Sequence, residues 1–328
     1  MFNSELRNID KNIVKACRLY YESSLSKTEI AGILKISITH VNRLLKEASK
    51  RSIVNITINA PRFEDLEIDL INKFNLFNAK VISSSDDEEF SRIDLGKAAA
   101  DYFDLTVRDN SHVGIGSGRT MYEMVKSVKE KPKNIYIYPL SAITERDPEI
   151  KSISAFTLVN TLWFKLRPSS KAYKLDLFYP QKSFKEMEPD VRAFKNEAAI
   201  KNLLSHLLNL DFYFFSVSPI KEESQIMTIL KEFDKTSLDL KNMGIIGDVL
   251  FYTISKSGSH VYCGVEDFVL GLETEQIKQI VTNNKKQVIM IAGGDSKFEI
   301  INTALNSELC NVLITDDRIA RRLLGEEK

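Results

Sequence analysis

Cysteine is scarce. Cys17, Cys263 and Cys310 are the whole complement, far apart and in no CxxC or His/Cys pattern, so neither a disulfide framework nor a metal site is expected. Long apolar runs are missing as well: nothing approaches the roughly 18 to 20 residues of a membrane span. The polar start, residues 1–11, is no signal peptide, and a cytoplasmic protein with no membrane partner is expected. Histidine is limited to His40, His112, His206 and His260. Neither the Gly-Lys-Ser/Thr ending of a P-loop nor the GxGxxG dinucleotide spacing occurs, and no cofactor is expected. Internal repeats are absent, and the run Asp86-Asp87-Glu88-Glu89 reads as a solvated loop. An excess of one charge is lacking too, with 45 basic and 45 acidic residues. That balance is uneven along the chain. Residues 1–58 carry ten Lys/Arg against five Asp/Glu, a net of +5, which leaves −5 for the rest of the 328 residues. A basic head on a mildly acidic body suits a nucleic-acid-reading domain joined to something else.

What is present in that head is the pattern of a helix-turn-helix over residues 26–48. Ser26 and Glu29 form a capping box before Ile30, Ala31, Ile33 and Leu34. Lys35-Ile36-Ser37 is the turn, and Ser37 caps a second helix whose Val41, Leu44, Leu45 and Ala48 recur at spacings of three and four. Thr39, His40, Asn42, Arg43 and Lys46 then face outward, where a recognition helix presents base-reading side chains. Lys27, Thr28 and Lys46 are placed for phosphates, and His40, Asn42 and Arg43 for bases, Asn42 suiting adenine and Arg43 guanine or phosphate. A helical hairpin with one polar face that binds nothing is the other reading. Residues 12–21 form an expected first helix, and the alternation of Val54, Ile56 and Ile58 predicts a strand, hence a winged variant. Residues 62–74 carry Leu66, Leu70 and Phe74 at helical spacing, a linker helix whose stripe is either a dimer contact or packing on the next domain.

From residue 79 short apolar runs alternate with amphipathic helices. Strands are expected at 79–83, 112–115, 134–139, 175–179, 212–217, 249–254, 287–292 and 312–315. Helices are expected at 92–105, 120–129, 152–166, 194–207, 222–230, 273–283, 297–305 and 317–324. This alternation predicts a doubly wound, mainly parallel α/β domain over 79–328, preceded by a DNA-binding domain at 1–59 and a linker at 60–78. Ligands in such folds bind where strands end and helices begin. Two such loops stand out. Gly114-Ile115-Gly116-Ser117-Gly118-Arg119-Thr120 lets the backbone approach an anion and adds hydroxyl and guanidinium donors. Gly293-Gly294-Asp295-Ser296-Lys297 puts a lysine at a helix start, which is unfavourable by some tenths of a kcal/mol unless an anion lies beside it. A tight turn without ligand and a freely solvated lysine are the alternatives.

On these residues the chain resembles the SorC family of bacterial transcriptional regulators over nearly its whole length. The resemblance rests on LYYESSLSKTEIAGILKIS at 19–37, VNRLLKEA at 41–48, SIVNITI at 52–58, GIGSGRTM at 114–121, Asn160–Leu162, LFYP at 177–180 and GDVLFYT at 247–253. Its most specific piece is AGGDSKFEIINTALNSELCNVLITDDRIARRLL at 292–324. It implies a winged helix-turn-helix, an effector domain folded like sugar-phosphate isomerases, and dimers or tetramers on palindromic operators. It also implies a phosphorylated sugar whose phosphate meets Gly116, Ser117, Gly118, Arg119, Thr120 and Lys297, with Asp248 taking a hydroxyl. The chain departs from the family where Ile38 follows Ser37, where Ser141-Ala142 replaces a glycine pair, and where Ser216-Val217-Ser218 replaces a Gly-Ile-Gly turn. The last two changes are expected beside the sugar. The leading reading is a repressor controlled by a sugar phosphate, with no catalytic residues; an isomerase-like enzyme and a regulator that has lost its ligand are the alternatives.

Overall fold

The computed structural model describes residues 11–51, 53–54, 63–143, 148–173, 175, 184–283 and 285–326. The chain forms two compact units, Met1–Ala60 and Pro61–Lys328.

In the first unit residues 11–17 form α1, which runs into a π turn over Arg18–Glu22. Lys27–Leu34 is α2 and Ile38–Lys50 is α3. The capping box forms: the Ser26 amide donates to Glu29 Oε2 at 2.8 Å while Ser26 Oγ accepts from the Glu29 amide at 3.3 Å. Lys35 ends α2 in the left-handed region at φ 53°, and Ser37 Oγ accepts from the His40 amide at 3.1 Å to start α3. Ile13, Ala16 and Ile30 pack against Val41, Leu44, Leu45 and Ala48, so the stripe read at helical spacing is the buried face of α3. Val54 joins this core, and the rest of the expected wing strand lies outside the described residues.

The second unit opens with α4 (Glu64–Phe74), β1 (Asn78–Ile82), α5 (Glu88–Thr106), β2 (His112–Ile115), α6 (Arg119–Ser127) and β3 (Tyr136–Pro139). It continues with β4 (Ser141–Ala142), α7 (Pro148–Ser152), α8 (Ala155–Leu166), β5 (Lys171–Ala172), α9 (Phe184–Asn196) and α10 (Ala198–Leu207). Then follow β6 (Phe212–Phe215), β7 (Val217–Pro219), α11 (Gln225–Leu230), α12 (Ser237–Asn242), β8 (Ile245–Val249) and β9 (Tyr252–Ser255). The chain closes with β10 (Leu270–Gly271), α13 (Thr274–Val281), β11 (Gln287–Ile291), α14 (Phe298–Asn306), β12 (Val312–Asp316) and α15 (Asp317–Leu324). Seven strands form one parallel sheet in the order β1-β12-β11-β6-β2-β3-β5. Its two faces are covered by separate apolar clusters, one around α5, α6 and α8, the other around α4, α14 and α15. This is the α/β class expected from the alternation.

Two expectations are corrected. The strand expected at 249–254 is the turn of an antiparallel hairpin, β8 and β9, with Leu250 and Phe251 at φ 52° and 72°. Its apolar residues are shared between two cores, Val249, Leu250 and Ile254 packing in a main-sheet cluster and Phe251 and Tyr252 in a third. The strand expected at 212–217 breaks at Ser216, so that β7 leaves the parallel sheet and pairs with β8. Of the two readings of the linker helix, packing on the next domain is the one seen: Leu66 and Leu70 of α4 are buried in the second unit's core, Phe74 packs partly against it, and Lys73 Nζ donates to the Leu323 carbonyl at 2.7 Å. Of the strand expected at 175–179, only Leu175 lies among the described residues.

Burial of Leu70 at 0 % exposure and of Ile68 at 55 % sets a contrast on one helix. Leu70→Ala should destabilise the second unit by about 2–5 kcal/mol, while Ile68→Ala should change it by less than about 0.5 kcal/mol. Denaturant unfolding checks both, and equal small effects would show that α4 does not pack on the body.

Candidate functional site

The sheet order places β6 between β2 and β11, and each of these strands ends in one of the unusual loops. β2 connects outward through α6 to β3, and β11 connects the other way through α14 to β12, so the chain diverges about β6. A crevice at that divergence is the expected ligand position in a parallel sheet. A cleft of about 980 Å³ opens there, lined by Ser117, Arg119, Ser216, Asp248, Gly294 and Lys297 among others. Its size falls within the few hundred to about 1,000 Å³ of small-molecule sites.

In the first loop Gly116 is tightly enclosed: a Cβ would lie 3.1 Å from Leu250 Cδ2 and from Phe215 Cβ, so those neighbours would have to give by a few tenths of an ångström. Gly118 sits at φ 111°, donates its amide to the Ile153 carbonyl at 2.9 Å and caps α6. The first bond of α6 is Tyr122 N–H to the Gly118 carbonyl, so the amides of Arg119, Thr120 and Met121 have no partner within the helix. Thr120 is buried and Arg119 is exposed, and both line the cleft.

The second loop is tied down by a residue that composition and spacing did not flag. Asp316, ending β12 and capping α15, accepts from the Gly294 amide at 2.7 Å through Oδ2 and from the Ile319 amide at 2.8 Å through Oδ1. A Cβ on Gly293 would stand 2.3 Å from Asp316 Oδ2, so that glycine allows the approach. The sequence signal for Asp316 was an aspartate directly before a helix, which any N-cap would give. Gly294 turns at φ 88°, and a 3-10 turn over Asp295–Lys297 leads into α14. Lys297 is half-buried and its Nζ donates to Ser216 Oγ at 3.4 Å.

Asp248 of β8 is 8 % exposed, and its Oδ2 accepts from the Phe251 amide at 3.1 Å, bracing the strained turn that carries Leu250 and Phe251 into the cleft wall. Burial pushes the Asp248 carboxyl up to about 7 against the opposing pull of the Phe251 amide and Lys297. Burial, then the charges of Arg92 and Arg119, bring the Lys297 ammonium down to about 8, with Asp248 acting the other way and Lys221 adding to the fall. Of the two family departures expected beside the sugar, Ser216-Val217-Ser218 lines the cleft. Ser141-Ala142 does not; it pairs with Leu270-Gly271, where a Cβ on Gly271 would lie 2.7 Å from Ser141 Cα.

Residues 61–325 match the Sugar-bind family model, a sugar-binding domain. The chain belongs to that family. It is 27% identical over 319 residues to the deoxyribonucleoside regulator of Bacillus subtilis, covering 95% of this chain and 97% of that one. It is also 27% identical over 321 residues to the sorbitol operon regulator of Klebsiella pneumoniae, with the same coverage. The crystal structure of the full-length sorbitol operon regulator SorC from Klebsiella pneumoniae superimposes with a TM-score of 0.65 at 23% identity over 97% of this chain and 99% of that one. That likeness is one of fold.

On α3 of the first unit Thr39, Asn42, Arg43 and Lys46 are exposed on the face away from the core, and His40 is half-buried with Nε2 3.3 Å from Arg43 Nη2. Ser37 Oγ is engaged as the helix cap. On α2 Thr28 is exposed, while Lys27 is half-buried with its ammonium 5.9 Å from the Tyr20 ring centroid. No histidine lines the cleft in the second unit: His112 stacks on Tyr136 at 4.5 Å and His260 Nε2 lies 3.0 Å from Glu266 Oε1.

A lysine lowered toward 8 is charged only at a cost, so the ligand-free fold gains stability as pH rises through about 8 toward the ordinary 10.5. An anion that needs the ammonium loses affinity over that same interval. A phosphate monoester gains its second charge near pH 6, so its affinity should peak between about 6 and 8 and fall by up to tenfold per pH unit above. Calorimetry at pH 8.5 in buffers of different ionisation heat should show proton uptake on binding. A flat affinity from pH 7 to 9.5 would contradict the role of the Lys297 charge.

Proposed function

We propose that the protein is a sequence-specific transcriptional regulator, a cytoplasmic repressor that binds double-stranded operator DNA through α2 and α3. A phosphorylated sugar held in the cleft of the second unit changes its operator affinity. One observation carries this reading: two helix N-termini, with Arg119 and Lys297, open on a single cleft at the divergence point of a sugar-binding-family sheet. Full-length similarity to regulators of sugar and nucleoside operons supports the DNA-binding half. The phosphate meets Gly116, Ser117, Gly118, Arg119, Thr120 and Lys297, and Asp248 takes a hydroxyl. One recognition helix reads only a few base pairs, which supports a dimer or tetramer on a palindromic operator.

Charge-assisted hydrogen bonds to phosphate contribute roughly 1.5–3 kcal/mol each. Lys297→Ala should therefore weaken sugar-phosphate binding by about tenfold to a hundredfold with basal DNA binding intact. Titration with a sugar phosphate and its dephosphorylated form measures this, and equal binding of the two forms to wild type would remove the phosphate from the account.

On the DNA side Asn42→Ala should lose preference for operator over random sequence by about 1–3 kcal/mol, whereas Lys46→Ala should flatten the dependence of log K on log salt by about one unit per subunit. Equal loss on both DNAs for the first variant, or an unchanged slope for the second, removes that residue from its role.

A second reading is favoured by Asp248, whose carboxyl near 7 beside Lys297 suits a general base on a sugar phosphate. Turnover of any stabilising sugar phosphate, abolished in Asp248→Asn, would establish an enzyme in place of a passive effector site.

A further inference from the structure

We infer that Arg92 of α5 is a third cationic ligand of the bound anion, reaching it from a wall of the cleft that neither glycine loop supplies. The phosphate already proposed, with two charges, matches three such cations better than a carboxylate would. The inference deepens the sugar-phosphate reading above and rests on it for the rest of the ligand.

The placement of Arg92 follows from two close approaches one helical turn further along α5. At Gly96 a Cβ would lie 2.6 Å from Glu123 Cβ and 2.8 Å from the Met124 amide nitrogen, so α5 and α6 touch backbone to backbone there. Arg92 precedes Gly96 by four residues and Arg119 precedes Glu123 by four, and both helices follow parallel strands of one sheet. Residues four apart on a helix share a face. The two arginines therefore leave the α5–α6 contact on the same side, toward the cleft that both line. Leu95 makes the second approach, with its Cδ1 2.9 Å from where a Gly293 Cβ would be. Arg92 thus lines the cleft from a helix that packs on α6, which follows the first glycine loop, and on Gly293 of the second.

Charge pairing leaves this arginine available. Asp86 is held by Arg318 at 2.7 Å, and Asp295 by Arg318 at 3.1 Å and Arg322 at 3.2 Å. Glu88 lies 3.8 Å from Lys221, and Glu123 lies 3.2 Å from Lys126. The exposed Glu89 and Glu223 also line the cleft and form no ion pair with Arg92, Arg119 or Lys297. Among the described residues no carboxylate pairs with any of those three cations, although Asp248 lies close enough to act on Lys297 through its field. Three like charges lining one cleft, with no carboxylate ion-paired to any of them among the described residues, are mutually repulsive. The Lys297 ammonium is lowered first by burial and then by this gathering, with Arg92 the largest of the charge causes. A dianion compensates such a set better than the single charge of a carboxylate, and a planar guanidinium suits phosphate oxygens.

The test is calorimetric titration of wild type, Arg92→Ala and Arg92→Lys. The probes are inorganic phosphate, the sugar monophosphate that most raises the wild-type Tm, its unphosphorylated sugar, and the matching sugar acid. Arg92→Ala should weaken both phosphate probes by about tenfold to a hundredfold and leave the unphosphorylated sugar unchanged. It should also move the alkaline limb of the binding profile upward from about 8, because Lys297 loses a like-charged neighbour. Arg92→Lys keeps the charge and should leave that limb in place. A merely structural arginine would shift neither limb nor phosphate selectivity. Undiminished phosphate binding by a folded Arg92→Ala, or an unmoved limb, overturns the role of Arg92 while leaving the sugar-phosphate reading intact. A sugar acid bound as tightly as the sugar phosphate overturns the dianion. Inorganic phosphate bound through Arg92 with no sugar phosphate bound would sink the broader reading and keep this one.

Discussion

The parallel pairing of β2, β6 and β11 is the constraint on which the candidate site depends. Parallel strands end on the same edge of a sheet, so loops more than 170 residues apart in the chain must open side by side once these three strands are adjacent. Everything else at the cleft adjusts to that edge. Gly116 clears Phe215 and Leu250, Gly293 clears Asp316, and α5 comes within backbone contact of α6 because position 96 has no side chain. The glycines are where elements meet closely, and the left-handed turns at Gly118 and Gly294 aim two helix starts at one space.

Much of this was legible in the sequence because it is local. The capping box of Ser26 and Glu29, the Ser37 cap and the stripe from Val41 to Ala48 are short-range signals, and the helices lie where those signals put them. A strand running into glycines and then a helix is equally local, and both such loops line the cleft. What escaped the sequence depends on distant pairing. Val249 to Ile254 reads as one apolar strand until Asp248 fixes the Phe251 amide and folds it into a hairpin. Leu66 and Leu70 read equally as a dimer contact or as packing on the next domain until the second unit's core supplies their partners. Asp316 is indistinguishable from an ordinary helix cap until β12 lies beside β11, and Arg92 is one charge in a helix until Gly96 shows which face meets α6.

Electrostatics distinguishes Lys297 from a freely solvated lysine. A solvated lysine keeps its ordinary value, whereas Lys297 is pulled down toward 8 by burial and by neighbouring cations, with its Nζ near a neutral serine hydroxyl. Asp248 lies on the opposite side of the balance, raised toward 7, so the cleft holds an acid and a base that titrate within about a unit of each other. Such pairs belong to enzymes as readily as to receptors for sugar phosphates. Family membership and full-length similarity to regulators favour the receptor, and the same geometry explains why the fold could serve either.

The central claim is that both glycine loops hold one anion. Amide-resolved nuclear magnetic resonance of the full chain during titration with a sugar monophosphate tests it most directly. The amides of Arg119 and Thr120 and those of Gly294 and Lys297 should shift together along one binding curve with a single Kd. Shifts confined to one loop, or two curves with different midpoints, would contradict a shared site.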